Sequence, residues 1–290
     1  MPAGSRRASY PLVKVRRRER DREAPGGHVS DEEDGGSLYV LTAVLLTPAQ
    51  FPAVLGDDFP EACAHLGVEP AADGYGLVLG QDEEGARWTV VVDDVSLVAA
   101  AIASWDCGMD YDLSPDERTI VASLAGWPLE LTVSTAGVPE PHDPPQGADG
   151  TGRVPLAPPS AEAWGPVQRR LGADQIAREW ADWRERVAED GGAAAAAHPG
   201  LARALEEAAG YGRQAPPPGR VRSAFAGEGV RTLRADGPGW SLVARTGGPA
   251  FVLLDEEPGG VLSVPGAGEA GLPELSGLLA ALDGVAARPA

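Results

Sequence analysis

Residues 137–159 interrupt the regular hydrophobic patterns of this 290-residue chain. They contain seven prolines and four glycines and have no apolar periodicity. Proline lacks an amide donor, and glycine loses much conformational freedom on folding, so such a segment supports neither a long helix nor a central strand. The segment therefore predicts a linker over residues 137–160, with one small domain on either side of it.

On the amino-terminal side, residues 38–136 predict a domain with a mixed sheet and helices. Residues 38–46 form a Val- and Leu-rich run typical of a buried strand, and residues 75–80 and 86–92 have the pattern of a hairpin. Asp94 precedes an Ala-rich stretch and predicts a capped helix there. Asp57 or Asp58 predicts the start of a short helix that ends at residue 66.

A further helix and strand are predicted at the end of this domain. Ser114, Pro115 and Glu117 occupy the positions that the N-cap, N1 and N3 residues have at a helix start. This pattern predicts a helix that ends at Ala125. Apolar residues then alternate over 129–133, which predicts a closing strand.

On the carboxyl-terminal side, residues 161–286 predict a helical segment that leads into an antiparallel meander and a C-terminal helix. Trp180 and Trp183 recur with apolar neighbours at helical spacing, which predicts a buried helix face, and a second short helix is predicted over 200–209. Five short strand patterns follow, at residues 221–225, 230–234, 240–245, 251–254 and 261–264. The last helix is predicted from Pro273. The chain as a whole is therefore predicted to be α+β, with two small domains.

The charge of the chain is unevenly distributed. Residues 25–150 contain 23 acidic and two basic side chains, a formal charge of −21, whereas the whole chain carries −19. A strongly acidic region indicates solubility, or a surface that attracts a basic partner. The candidate partner-binding carboxylates are those of the predicted hairpin and of the turn after it, namely Asp82, Glu83, Glu84, Asp93 and Asp94.

Residues 1–37 predict a disordered tail that is first basic and then acidic. Residues 1–24 hold eight basic and three acidic side chains, and charge blocks of this kind rarely pack. Because phosphate contacts need clustered Lys and Arg, nucleic-acid binding is expected only through residues 1–24. The apolar run at 38–46 is too short to span a membrane, and two cysteines make no disulfide framework, so we expect a cytoplasmic protein.

Candidate sites for metals and cofactors are weak. Asp106, Asp110 and Asp112 form an acidic run, but Pro115 and Val121 stand where a calcium loop needs Gly and Glu. Residues 266–271 match Gly-x-Gly-x-x-Gly, yet only nineteen residues follow them, too few for the second parallel strand of a dinucleotide site. No cofactor is predicted.

Together these patterns favour a non-catalytic, cytoplasmic interaction module of acidic character. Its first domain would engage a basic partner, as immunity proteins, chaperones and nucleic-acid mimics do. One alternative is a metal-dependent hydrolase that uses Asp106, Asp110 and Asp112, and another is a regulator whose basic arm binds nucleic acid. The composition, rich in Arg and Ala with a single lysine, is typical of a GC-rich genome.

Overall fold

The structure, a computed structural model, describes ten stretches of the chain: residues 38–109, 113, 115–132, 135–148, 150, 152–160, 162–190, 198–227, 229–266 and 273–286. The predicted tail over residues 1–37 and the candidate ligands Asp110 and Asp112 lie outside these residues, as does most of the glycine-rich match at 266–271. The described residues form two compact units. Unit 1 comprises residues 38–46 and 73–158, and unit 2 comprises residues 47–72 and 159–286.

The elements follow the chain in this order. The named helices are α1 (Phe59–Leu66), α2 (Val95–Asp106), α3 (Pro166–Arg178), α4 (Trp180–Asp190), α5 (Pro199–Arg213) and α6 (Pro273–Ala286). The strands of unit 1 are β1 (Tyr39–Leu46), β2 (Tyr75–Gln81), β3 (Arg87–Val92) and β4 (Ile120–Ala125). The strands of unit 2 are β5 (Val221–Gly227), β6 (Val230–Gly237), β7 (Trp240–Arg245), β8 (Ala250–Leu254) and β9 (Leu262–Val264). The predicted α+β class is therefore confirmed.

Unit 1 is a four-stranded sheet, in the order β1-β2-β3-β4, with α2 packed on one face. Alternate strand residues such as Val78 and Val90 pack with Val98 of α2, because successive side chains of a strand point to opposite faces. On the other face, Leu79 packs against the fully buried Trp127, whose indole N–H donates to the Gly80 carbonyl at 3.0 Å. Both faces of the sheet are thus covered.

Two details of unit 1 differ from the sequence prediction. Adjacent named strands pair antiparallel throughout, and the parallel contacts among the described residues are two isolated bridges, so the sheet is not a mixed one. The helix predicted from Ser114 to Ala125 is wrong. Asp116 caps only a short 3₁₀ turn, in which its Oδ1 accepts from the Arg118 amide, and residues 120–125 then pair with β3.

Part of the predicted linker forms backbone hydrogen bonds with the sheet of unit 1. The amide of Arg87 donates to the His142 carbonyl at 2.9 Å, and the amide of His142 donates to the Gly85 carbonyl at 3.1 Å. Further along, the Leu156 amide donates to the Ala125 carbonyl at 2.7 Å, and Leu156 is buried. Backbone groups at the edge of the sheet thus find partners in a segment that has no regular structure itself.

Unit 2 is a five-stranded antiparallel meander, in the order β5-β6-β7-β8-β9, between two layers of helices. Residues such as Leu242 and Leu254 face α5 and α6. Val243 and Phe251 face α3 and Trp180, whose ring meets that of Phe251 edge-on. The predicted meander, its closing helix and the buried position of Trp180 are confirmed.

Residues 47–72 belong to unit 2, although the sequence assigned them to the first domain. A short 3₁₀ turn at Ala53–Leu55 packs on α3, and α1 follows with Asp58 as its N-cap. Gly219 marks how closely this segment approaches the meander: a Cβ there would lie 2.5 Å from Cβ of Phe59, and its φ of +79° favours glycine. In the described part of the chain, no helix combines the length and the apolar character needed to cross a bilayer.

Candidate functional site

The predicted acidic positions at 82–84 lie in the turn between β2 and β3. Asp82 is half-buried and organises the turn: its Oδ1 accepts from the Ala86 amide at 2.8 Å, and its Oδ2 accepts from the Trp88 indole at 2.9 Å. Glu83 and Glu84 are exposed, and no ion pair to either is found among the described residues. The turn therefore presents two unneutralised carboxylates on a fixed loop.

Asp93 and Asp94 lie elsewhere on unit 1. Asp94 caps α2 by accepting from the Leu97 amide at 3.0 Å, and Asp93 is exposed between β3 and α2. The six residues of β3 separate these two aspartates from the 82–84 turn, a distance of about 20 Å along an extended strand. The five predicted carboxylates therefore occupy opposite ends of one hairpin rather than one patch.

Carboxylates greatly outnumber cations over the described part of unit 1. Its residues include twelve acidic side chains and three arginines. Two of those arginines already have an acidic neighbour, since Arg87 pairs with Asp143 at 2.5 Å and Arg118 pairs with Asp116 at 2.7 Å. The hydrogen bonds from Arg118 hold the pKa of the Asp116 carboxyl down at about 2.

The predicted metal ligands are not brought together by the described structure. Asp106 is exposed at the last residue of α2, while Asp110 and Asp112 lie outside the described residues. Among the residues that are described, no group of three or more His, Cys, Asp or Glu side chains is arranged to hold a metal ion.

Unit 2 contains a feature that the sequence analysis missed, a buried ion-pair cluster. It joins the 47–72 segment, α3 and the meander, and its members are Asp57, Arg169, Arg170, Asp174, Arg222, Arg234, Asp236 and Asp255. Arg169, Arg170 and Asp236 have no exposed surface at all. Buried charges are tolerated only when they are paired and hydrogen-bonded, so each of these contacts matters for stability.

Arg169 and Arg170 connect α3 to both neighbouring layers. Arg169 donates through Nε to Asp255 Oδ1 at 2.7 Å and through Nη1 to Ser241 Oγ at 2.9 Å, and its Nη2 lies 2.5 Å from Asp57 Oδ2. Arg170 donates through Nη1 to the Asp57 carbonyl at 2.7 Å and to the carboxylate of Asp236.

Asp236 is the shared anion of the cluster. Besides Arg170, it has Arg222 Nη2 at 3.4 Å and Arg234 Nη2 at 3.7 Å, and it accepts from Ser241 Oγ at 2.7 Å. Burial by itself would raise the pKa of the Asp236 carboxyl, but the three arginines outweigh burial and hold that pKa well below its usual range. Asp236 is therefore an anion at neutral pH.

Asp57 behaves in the opposite way. The pKa of its carboxyl is raised to about 7, mainly by burial and in addition by Asp236 and Asp58, while Arg169 opposes the shift. Next to it, Asp58 caps α1 through the Glu61 amide and pairs with Arg220 Nε at 2.5 Å. Both aspartates of this acidic pair thus act inside unit 2 and contribute nothing to an acidic surface.

A cleft of about 620 Å³ opens beside this cluster. Its charged lining residues are Asp174, Arg222 and Arg234. Ser223 and Thr232 add hydroxyl groups, and most of the remaining wall is apolar, formed largely by alanine, valine and the three prolines at 216–218. All of the lining residues belong to unit 2.

Comparisons with protein-family models, with curated proteins and with solved structures found no match to this chain.

One sequence signal could have pointed to the cluster. Arg169 lies four residues before Ala173 and seven residues before Ile176, so it shares the apolar face of α3. A charged residue on such a face is expected to be paired. Its partners could not be identified from the sequence, since Asp57 and Asp255 lie in distant segments.

Proposed function

We propose that this chain is a non-catalytic interaction protein whose unit 1 engages a basic protein partner. The observation that carries the proposal is the imbalance of charge in the described part of unit 1. This part contains twelve carboxylates and only three guanidinium groups. A surface with one sign of charge attracts a partner of the opposite sign, speeds association and disfavours acidic competitors.

The β2–β3 turn is the part of unit 1 best suited to this role. Asp82 fixes the turn through two backbone amides and the indole of Trp88. The exposed Glu83 and Glu84 are therefore presented without the loss of backbone entropy that a loose loop would suffer on binding. Such a pre-organised acidic turn is a means of recognition that immunity proteins, chaperones and nucleic-acid mimics could share.

The alternatives have less support. A metal-dependent hydrolase would use Asp106, Asp110 and Asp112, of which only Asp106 is described, as an exposed helix end. A nucleic-acid-binding arm would lie in residues 1–24, outside the described residues. We also propose a cytoplasmic location, and the two free cysteines, one buried and one exposed, support it.

The test is a charge reversal with a matched control. Full-length protein captures partners from its own cells at low salt, and the captured basic protein is purified for kinetic measurement. Glu83→Lys with Glu84→Lys should slow association at least about tenfold, because steering by exposed charges acts on the on-rate. The control reverses two exposed carboxylates of unit 2, Glu185 and Glu206, and so makes the same change in net charge.

The proposal requires the control variant to associate at nearly the wild-type rate. It also requires the wild-type rate to fall as salt increases, because exposed charges are screened within about 8 Å at physiological ionic strength. Equal slowing by both double variants would mean that net charge alone matters. Capture of no basic protein, or capture that charge reversal leaves unchanged, would assign the acidic surface to solubility.

A further inference from the structure

The cleft of unit 2 has the size and the lining of a small-molecule site. Its volume of about 620 Å³ lies within the roughly 300–1,000 Å³ that such sites occupy. Like them, it combines mostly apolar walls with a few polar groups at one place. The charged groups sit where β5 and β6 meet α3, so rigid elements position them rather than a loop.

The charged groups that line this cleft are two arginines, Arg222 and Arg234, and one carboxylate, Asp174. A second carboxylate, Asp236, contacts both arginines but has no exposed surface and is shared with Arg170. Asp174 is held by Arg234 at 2.5 Å, and Asp236 is closest to Arg170. Among the described residues, the ion pair found for Arg222 is the long 3.4 Å contact with Asp236, and its guanidinium group lies over the ring of Phe51.

Some N–H groups of these two arginines have no acceptor among the described residues. The side chain of Arg234 is 7% exposed, and within the part of the chain that the structure describes no hydrogen-bond partner is found for its Nε and Nη2 or for Nε of Arg222. Buried N–H groups without acceptors are rare and unfavourable. Burial and the neighbouring Arg170 also lower the pKa of Arg222 to about 10, whereas Asp236 and Asp174 oppose this shift.

We propose that this cleft binds a small organic monocarboxylate, whose carboxylate pairs with Arg222 and whose apolar body lies along the alanine- and proline-lined wall. The planar guanidinium matches a carboxylate with two parallel hydrogen bonds. The apolar wall disfavours a fully hydrated inorganic anion. Asp174, on the same lining, repels ligands that carry two or more negative charges.

The test uses three eight-carbon probes that share one apolar body: octanoate, 1-octanol and octyl phosphate. Each is titrated into the full-length chain by calorimetry at pH 8. Octanoate should bind, and 1-octanol should bind at least about tenfold more weakly because a hydrogen bond to a charged group is lost. Octyl phosphate, a dianion at this pH, should also bind more weakly than octanoate.

Variants locate the site. Arg222→Gln should weaken octanoate binding at least about tenfold, while Arg203→Gln, which removes an exposed arginine of unit 2 outside the cleft, should leave the affinity unchanged. Ala224 lines the cleft and is exposed, so Ala224→Phe should block the cleft without disturbing the ion pairs. If Arg222→Gln fails to fold, the octanoate affinity of Ala224→Phe tests whether octanoate binds in the cleft.

Three results would overturn the proposal: octanoate that fails to bind at millimolar concentration, octanol or octyl phosphate that binds as well as octanoate, and folded Ala224→Phe protein that binds octanoate normally. None of these results depends on the acidic turn of unit 1. Failure here would therefore leave the proposed partner of unit 1 untouched, and the reverse also holds.

Discussion

At the residue scale, carboxylates that look alike in the sequence have different roles. Asp57 and Asp58 lie within the same acidic stretch as Glu83 and Glu84, yet they are buried and paired with arginines of unit 2. Removing one member of a buried pair typically costs about 3–5 kcal/mol, whereas an exposed charge contributes little. The local surroundings therefore decide what each carboxylate does.

The raised pKa of Asp57 predicts a specific dependence of stability on pH. Because the folded-state pKa of about 7 lies above the ordinary value of 3.8, the stabilisation from the protonated carboxyl is complete below about pH 4 and is lost as the pH rises through 7. Urea unfolding of wild type and Asp57→Asn at several pH values measures this. Wild type should lose stability relative to the variant between pH 4 and 8.

Since the amide of Asn does not titrate, the variant isolates the contribution of this one carboxyl from that of all other groups. A difference in unfolding free energy that stays constant between pH 4 and 8 would show that Asp57 has an ordinary pKa in the folded protein.

At the element scale, the fit of α2 on the sheet of unit 1 depends on Gly76 of β2. A Cβ at Gly76 would lie 2.3 Å from Cγ2 of Val98 and 2.9 Å from Cγ2 of Val92. Gly76→Ala should therefore lower the unfolding free energy by about 1–3 kcal/mol through overpacking, although alanine otherwise suits a strand better than glycine.

The matched control for Gly76→Ala is the double variant with Val98→Ala, which removes the nearest methyl groups. The two substitutions should be coupled by about 0.5–3 kcal/mol in denaturant unfolding, with the double variant more stable than the sum of the single effects. Simple additivity would mean that α2 does not pack on Gly76.

Local patterns predicted most of these elements. Alternation and turn residues located β2, β3 and the meander, and Asp58 and Asp94 cap α1 and α2 where capping residues were expected. The helix from Ser114 failed because its start signal was satisfied by a single 3₁₀ turn. The following residues, 120–125, gained a ladder of hydrogen bonds with β3, and tertiary pairing outweighed the local preference.

The candidate sites were predictable only in part. The exposed Glu83 and Glu84 follow from a charged turn between two apolar strands, which is a local signal. The arginine-lined cleft does not, because Asp174, Arg222 and Arg234 come together only through the packing of α3 on the meander. The placement of residues 47–72 in unit 2 has the same origin. It involves ion pairs with Arg169 and Arg220 and a hydrogen bond from Arg170 to the Asp57 carbonyl.

At the scale of the whole molecule, the negative charge is divided between two roles. Unit 2 uses aspartates internally to neutralise buried arginines, and unit 1 exposes its carboxylates with few cations nearby. A run of acidic sequence is therefore not the same thing as an acidic surface, since four of the 23 acidic residues in 25–150 belong to unit 2.

The most direct test of this claim compares two double variants that remove the same charge. One is Asp58→Asn with Asp236→Asn, and the other is Glu83→Gln with Glu84→Gln. Unfolding in urea at pH 7 should show a loss of at least about 3 kcal/mol for the first, because the buried Arg170 and the half-buried Arg220 lose their partners. The second should change the unfolding free energy by less than about 0.5 kcal/mol. Similar losses for the two double variants would contradict the claim.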